Sequence, residues 1–335
     1  SLERGQTSYT SNLGLLRLRN SISSYVDSFF GVHYSANSEI LVTVGVSEAI
    51  DLALRALLNP GDEVIFHEPC YVSYSPSITM AHGKSVTVPT FKSDGFVLKA
   101  DRLKEVITDK TRVVMLNFPT NPTGASMTAE DLEAVAALCR EYDVIAITDE
   151  VYEHMVFDGD HVSLAALDGM WDRTVTLSSL GKSFSLTGWK VGWAVGPERL
   201  TAGVRAAHQF LTFATASPLQ HGAAVALRAP DSYYDELVTA YRARRDLLAG
   251  GLSDLGFEVF VPAGTYFMLA DHTPFGFGDD VAFVRHLIEA TGVAAIPPSA
   301  FYHRPQDGAS LVRFAFCKDE ATLRAAIERL AGLDA

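Results

Sequence analysis

Lys182 stands in Ser178-Ser179-Leu180-Gly181-Lys182-Ser183, between an apolar run and a stretch rich in small residues, with Lys190 eight positions on. A lysine so placed suits Schiff-base chemistry, because a desolvated ammonium gives up its proton readily. Gly181-Lys182-Ser183 also spells the end of a P-loop, but that pattern needs glycine at position 176, where Thr176 stands. Asp149 closes the apolar run Ile145-Ala146-Ile147-Thr148 and is followed by Tyr152. A carboxylate at a buried strand end needs a partner, and a ring-nitrogen cation would supply one. Asn121 lies in Asn117-Phe118-Pro119-Thr120-Asn121-Pro122-Thr123-Gly124. Two prolines and a glycine hold such a loop rigidly enough to aim an amide at a ligand.

Two more segments could complete a site. Gly45-Val46-Ser47 opens a helix after a strand, and the amides of Val46 and Ser47 would form a natural phosphate seat. Taken alone, the same residues read as an ordinary serine-capped helix. Tyr71, in Pro69-Cys70-Tyr71, could stack on a planar ring or simply pack.

The elements that must position these residues are short apolar strands alternating with helices. Strands are expected at Val42–Val44, Glu63–His67, Ser85–Val88, Arg112–Asn117, Val144–Thr148, Val175–Ser178 and Val191–Val195. Helices are expected at about Ser47–Leu58 and Ala129–Tyr142. The alternation predicts an α/β fold: a mostly parallel, seven-stranded sheet with helices on both faces. Beyond about residue 225 the texture changes to a long charged helix, short strands and a terminal helix from Glu320, which predicts a smaller α+β C-terminal domain. In such sheets ligands bind beyond the carboxyl ends of the strands, where all five segments fall.

The chain has 335 residues, of which 48% are hydrophobic and 20% charged, so it is neither disordered nor fibrous. Its 27 basic and 40 acidic residues leave a net charge of −13, which argues against a nucleic-acid partner. No apolar run approaches the roughly 18 residues of a membrane span. The scattered Cys70, Cys139 and Cys317 suit a reducing cytoplasm. The histidines show no metal-binding spacing. His154, Asp158, Asp160 and His161 fall in a glycine-containing loop that reads as solvated.

Together, Asn121-Pro122-Thr123-Gly124, the Asp149…Tyr152 pair and Ser179-x-x-Lys182 with Lys190 resemble, in order, the motifs of fold-type-I pyridoxal-phosphate aminotransferases of the aspartate aminotransferase superfamily (class I/II). The resemblance covers nearly the whole chain. It implies pyridoxal 5'-phosphate as cofactor and transamination between an L-amino acid and a 2-oxo acid by a ping-pong mechanism. Lys182 resembles the lysine that binds the cofactor and then shuttles the proton. Asp149 resembles the carboxylate that keeps the pyridine nitrogen protonated. Tyr152 and Asn121 resemble the donors to the ring's phenolic oxygen, and Tyr71 the stacking aromatic. Gly45, Val46, Ser47, Ser179 and Lys190 resemble the phosphate cradle. The family often has arginine where Lys190 stands, so that contact is expected to be monopolar rather than forked.

Two matches lie outside this core. Tyr9, at the head of Tyr9-Thr10-Ser11-Asn12-Leu13-Gly14, resembles the tyrosine that reaches the phosphate of a partner subunit, which implies a homodimer with shared sites. Arg313, in Leu311-Val312-Arg313-Phe314, resembles the arginine that clamps the substrate α-carboxylate with a planar two-point grip. The implied domains are a large cofactor domain over 15–225 and a small one over 226–335, with 1–14 as an inter-domain or inter-subunit segment. Gly264-Thr265-Tyr266-Phe267, Val293–Tyr302 and His208–Phe213 are similar to the kynurenine/methionine aminotransferase branch, which implies aromatic or sulfur-containing donors. A C–S β-lyase would share every cofactor residue, and a non-catalytic cofactor-sensing domain is the reading outside enzymes. The chain starts at Ser1 without methionine, and the resemblance implies about 30–50 residues ahead of Tyr9, by typical domain sizes.

Overall fold

The computed structural model describes residues 1–333; the last two residues of the expected small domain lie outside them. The strands are β1 (Ile40–Thr43), β2 (Glu63–Glu68), β3 (Lys84–Pro89), β4 (Thr111–Leu116), β5 (Ile145–Asp149), β6 (Thr174–Ser179), β7 (Gly192–Val195), β8 (Glu258–Phe260), β9 (Phe267–Asp271) and β10 (Leu311–Ala315). The helices are α1 (Leu16–Phe30), α2 (Gly45–Leu57), α3 (Tyr74–Met80), α4 (Ala100–Val106), α5 (Ala129–Glu141), α6 (Glu198–Leu211), α7 (Ser217–Ala226), α8 (Asp231–Asp254), α9 (Asp280–Thr291) and α10 (Glu320–Leu330).

The first seven strands form one sheet in the order β1-β7-β6-β5-β4-β2-β3, and β10-β9-β8 form a separate antiparallel sheet. The fold is therefore α/β with a smaller C-terminal α+β part, as the strand pattern predicts. β2, β3, β4, β5 and β6 are mutually parallel. β7 is antiparallel to both of its neighbours, β6 and β1.

The central strands are apolar on both faces because both are covered. Alternate side chains point to opposite faces. Val64, Phe66, Val113, Met115 and Ile147 meet Ile50, Ala53 and Leu57 of α2 on one side. Ile65, Val114, Leu116 and Ala146 meet Val135 and Leu138 of α5 on the other. Each fully buried aliphatic side chain contributes about 1.5–3 kcal/mol, so this packing anchors α2 far more firmly than its weakly capped start could. α5 is further fixed at its start by a capping box, Thr128 with Asp131. α1 packs Leu18, Ile22, Tyr25 and Val26 against Trp193 of β7 and Ala223 of α7. α8, α9 and α10 build a separate core around β9 and β10.

Candidate active site

The strand directions gather the five segments. β1, being antiparallel to β7, runs the same way as β6, so β1, β2, β4, β5 and β6 all end at one edge. A cavity of about 790 Å³, open to solvent, lies beyond that edge. At one end it is lined by Gly45, Val46, Ser47, Ser179 and Lys190. At the other it is lined by Tyr71, Asn121, Asp149, Tyr152 and Lys182.

The first end suits an anion. No side chain caps the start of α2, so its first amides point into the cavity unpaired by a cap. Gly45 has φ +72, and a Cβ there would meet Lys190 Nζ at 3.4 Å. The ammonium thus hangs over the helix start, and the positive φ of the turn beneath it favours glycine. Lys190 itself sits in the left-handed region, at φ 52. Ser179 Oγ accepts from the Gly181 amide at 3.2 Å, which leaves its own proton free to donate.

The second end suits a protonated ring nitrogen. Asp149 is buried, and its Oδ2 accepts from the Tyr74 hydroxyl at 2.8 Å. Its Oδ1 is buried with no hydrogen-bond partner. Burial raises its pKa to about 6, against the opposing pull of Tyr74, the Val151 amide and Lys182. A cation at Oδ1 would satisfy both the charge and the orphaned oxygen. The Asn117 side chain ties two segments together: its amide donates to Asp149 O at 2.8 Å, and its carbonyl accepts from the Asn121 amide at 3.1 Å. Lys182 Nζ donates to the Tyr266 hydroxyl at 3.1 Å and lies 5.6 Å from the centre of the Tyr152 ring. Burial holds the Tyr152 phenol well above its ordinary pKa, and the neighbouring Tyr266 adds to this.

Arg313 borders the cavity through Asn121, whose Oδ1 accepts from Arg313 Nη1 at 2.7 Å. The Asn121 side-chain nitrogen, Nδ2, makes no hydrogen bond among the described residues and stays available to a ligand. The guanidinium lies between Phe267 and Phe301, 4.1 and 4.8 Å from the ring centres. Its Nε is buried without a partner, and no carboxylate among the described residues pairs with it. Burial lowers its pKa from the ordinary arginine value. A half-buried cation in this state favours an anionic ligand.

Tyr9 stands apart from this cavity. It is 85% exposed and packs edge-on against Phe213, with ring centres 5.3 Å apart. The expected solvated loop is corrected in part. Asp158 and Asp160 are exposed, but His154 and His161 turn inward. His161 bonds Glu150 Oε2 at 3.0 Å, and His154 bonds Tyr25 at 2.5 Å. Those partners lie on α1 and at the end of β5, out of reach of local composition. Tyr74 and Tyr266 are the site residues that sequence reasoning missed as functional. Tyr74 lies three positions past Tyr71, and Tyr266 lies within Gly264–Phe267, but their contacts span 75 and 84 positions. Gly124 explains how Tyr266 is brought in. It has φ +69, its carbonyl accepts from the Gly264 amide at 2.8 Å, and a Cβ on it would collide with Pro262.

Residues 2–330 match the family described as aminotransferase class I and II, and the chain belongs to it. A probable N-succinyldiaminopimelate aminotransferase of Mycobacterium tuberculosis is 46% identical over 98% of this chain and 85% of its own length. The structure titled as N-succinyldiaminopimelate aminotransferase from that organism superposes with a TM-score of 0.96, covering 99% of this chain and 87% of that one. The methionine aminotransferase of Escherichia coli is 37% identical over 98% of this chain and 84% of its own length. The human kynurenine–oxoglutarate transaminase 1 is 38% identical over 96% and 84%. The chain is accordingly an aminotransferase, of a family that implies pyridoxal phosphate. Among the described residues no helix is long and apolar enough to cross a membrane, and no cluster of His, Cys, Asp and Glu is placed to hold a metal ion.

Proposed function

We propose that the cavity holds pyridoxal 5'-phosphate and transfers an amino group from an L-amino acid of aromatic, kynurenine or methionine type to a 2-oxo acid. The observation that carries this reading is Asp149 Oδ1, buried and unpartnered in the same cavity as Lys182. Gly45, Val46, Ser47, Ser179 and Lys190 would hold the phosphate, and Tyr71 would cover one face of the ring. The bound cofactor supplies an electron sink for the carbanion formed at the substrate α-carbon. Asp149, as carboxylate, holds the proton on the ring nitrogen. Tyr152 and Asn121 donate to the phenolic oxygen. Lys182 Nζ would anchor the cofactor, then take the substrate α-proton and deliver it to the cofactor side rather than back to the α-carbon, the shift that transamination requires. Arg313 grips the α-carboxylate, which fixes the α-carbon within reach of Lys182.

The donor class rests on the kynurenine and methionine relatives; the mycobacterial relative is named for a different donor. A screen of aromatic, sulfur-containing and diaminopimelate-type donors against several 2-oxo acids tests it. Preference for the first two groups supports the reading, and preference for the third replaces it. Release of pyruvate and ammonia from a cysteine conjugate without an oxo-acid acceptor, as the main activity, would make the chain a β-lyase.

The same reading includes a homodimer whose partner supplies Tyr9. Its support is an exposed apolar cluster, Tyr9 and Phe210 at 85% and 88% exposure with Leu211 half exposed. Light scattering on the full chain should give twice the monomer mass. We place the domain division at 225/226, at the end of α7, because α8 opens the core shared with α9 and α10. The three free cysteines are consistent with a cytoplasmic protein.

A further inference from the structure

Ser178 and Ser179 are neighbours at the end of β6, so their side chains leave opposite faces of the sheet. Ser179 faces the cavity; Ser178 faces a buried polar cluster behind it. At the centre of that cluster is Glu153, 4% exposed. Both of its oxygens accept from Ser178 Oγ, at 2.9 and 2.8 Å. Its Oε1 also accepts from the Tyr25 hydroxyl at 2.6 Å, and that hydroxyl contacts His154 Nε2 at 2.5 Å. One carboxyl therefore joins α1, the turn that carries Tyr152, and the end of β6.

No Lys or Arg pairs with Glu153 among the described residues. Burial pushes its carboxyl up to about 7, and the Tyr25 and Ser178 hydroxyls and the charge of His161 oppose this. Such a group is costly to bury, and its hydroxyl donors offset much of that cost. Each donor comes from a different element, so the hydrogen bonds fix those elements relative to one another. Ser179 and the turn to Lys182 follow directly from the end that Glu153 holds.

We propose that Glu153 is a positioning residue for the anion end of the active site: by fastening Ser178 to α1, it sets the direction of Ser179. The inference rests on the reading of the cavity as the cofactor site. A positioning role at the phosphate end separates two ligands that differ only there, pyridoxal 5'-phosphate and pyridoxal. A merely structural role would weaken both alike.

The test is the dissociation constant of each, measured by tyrosine and tryptophan fluorescence on the full chain after removal of cofactor. Glu153→Leu should weaken pyridoxal 5'-phosphate about tenfold, the scale of one hydrogen bond to a charged group, and leave pyridoxal nearly unchanged. Ser178→Ala should shift the same ratio in the same direction, and it answers the question if the leucine variant fails to fold. Glu153→Gln, which keeps an acceptor oxygen for Tyr25 and Ser178, should restore most of the difference. Parallel losses for both ligands, or no loss in either variant, would overturn the proposal. Equal affinity of the unaltered chain for both ligands would instead overturn the reading of the cavity, and the proposal with it.

Discussion

Tyr74 donates its hydroxyl proton to Oδ2 of Asp149 at 2.8 Å and leaves Oδ1 of the same carboxyl buried and unpartnered. One oxygen is thus anchored within the protein, and the other is kept for a ligand. Tyr74→Phe should remove the anchor without changing volume much. The orphaned acceptor would cost about 1–3 kcal/mol, so cofactor affinity should fall about tenfold or more. Unchanged affinity in equilibrium titration would show that Asp149 is held by other contacts.

The pH dependence follows from the same carboxyl. Burial raises Asp149 from 3.8 to about 6 before any cation binds. In the cofactor-free chain this group stabilises the fold below its ordinary value, and that contribution is lost as pH rises through about 6. Cofactor binding runs the other way, because the ionised form is the one that pairs with a protonated ring nitrogen. Affinity should therefore climb as pH rises from 5 to 7, and Asp149→Asn should remove most of the climb. A profile that is flat or falling over this range would contradict the pairing.

Arg313 has no carboxylate partner among the described residues and shares Asn121 with the cavity. Arg313→Ala should raise KM for 2-amino acids by about two orders of magnitude, since truncating one side of a desolvated charged pair costs roughly 2–5 kcal/mol. Arg313→Lys should recover part of this, without the forked contact. Steady-state kinetics decide it: an unchanged KM would remove Arg313 from the site.

Gly45→Ala should weaken cofactor binding while leaving the fold intact. Its φ of +72 disfavours a side chain, and the added methyl would meet Lys190 Nζ. Thermal denaturation should show a small loss of stability, and titration a larger loss of affinity. The reverse order would mean that Lys190 does not hang over the start of α2.

The residues that line the cavity were legible because most follow the carboxyl end of an apolar strand, where a polar side chain stands out locally; Lys190, just ahead of β7, is the exception. Asp149 after Ile145-Ala146-Ile147-Thr148 is the clearest case. The supporting layer was not legible, because its meaning lies in contacts between distant segments. Glu153 depends on Tyr25, 128 positions away, and Asp149 on Tyr74. The inward turn of His154 and His161 is hidden for the same reason. The expected strands fall within a few residues of those observed, yet the reading omits α1, although Leu18, Ile22, Tyr25 and Val26 repeat at helical spacing.

Under the proposed function, Lys182 is the covalent anchor and proton carrier. Borohydride reduction of the full chain with pyridoxal 5'-phosphate, followed by peptide mass mapping, tests this directly. The expected result is a phosphopyridoxyl label on Lys182, with neither label nor turnover in Lys182→Ala. A label on another lysine, or turnover that survives the substitution, would contradict it.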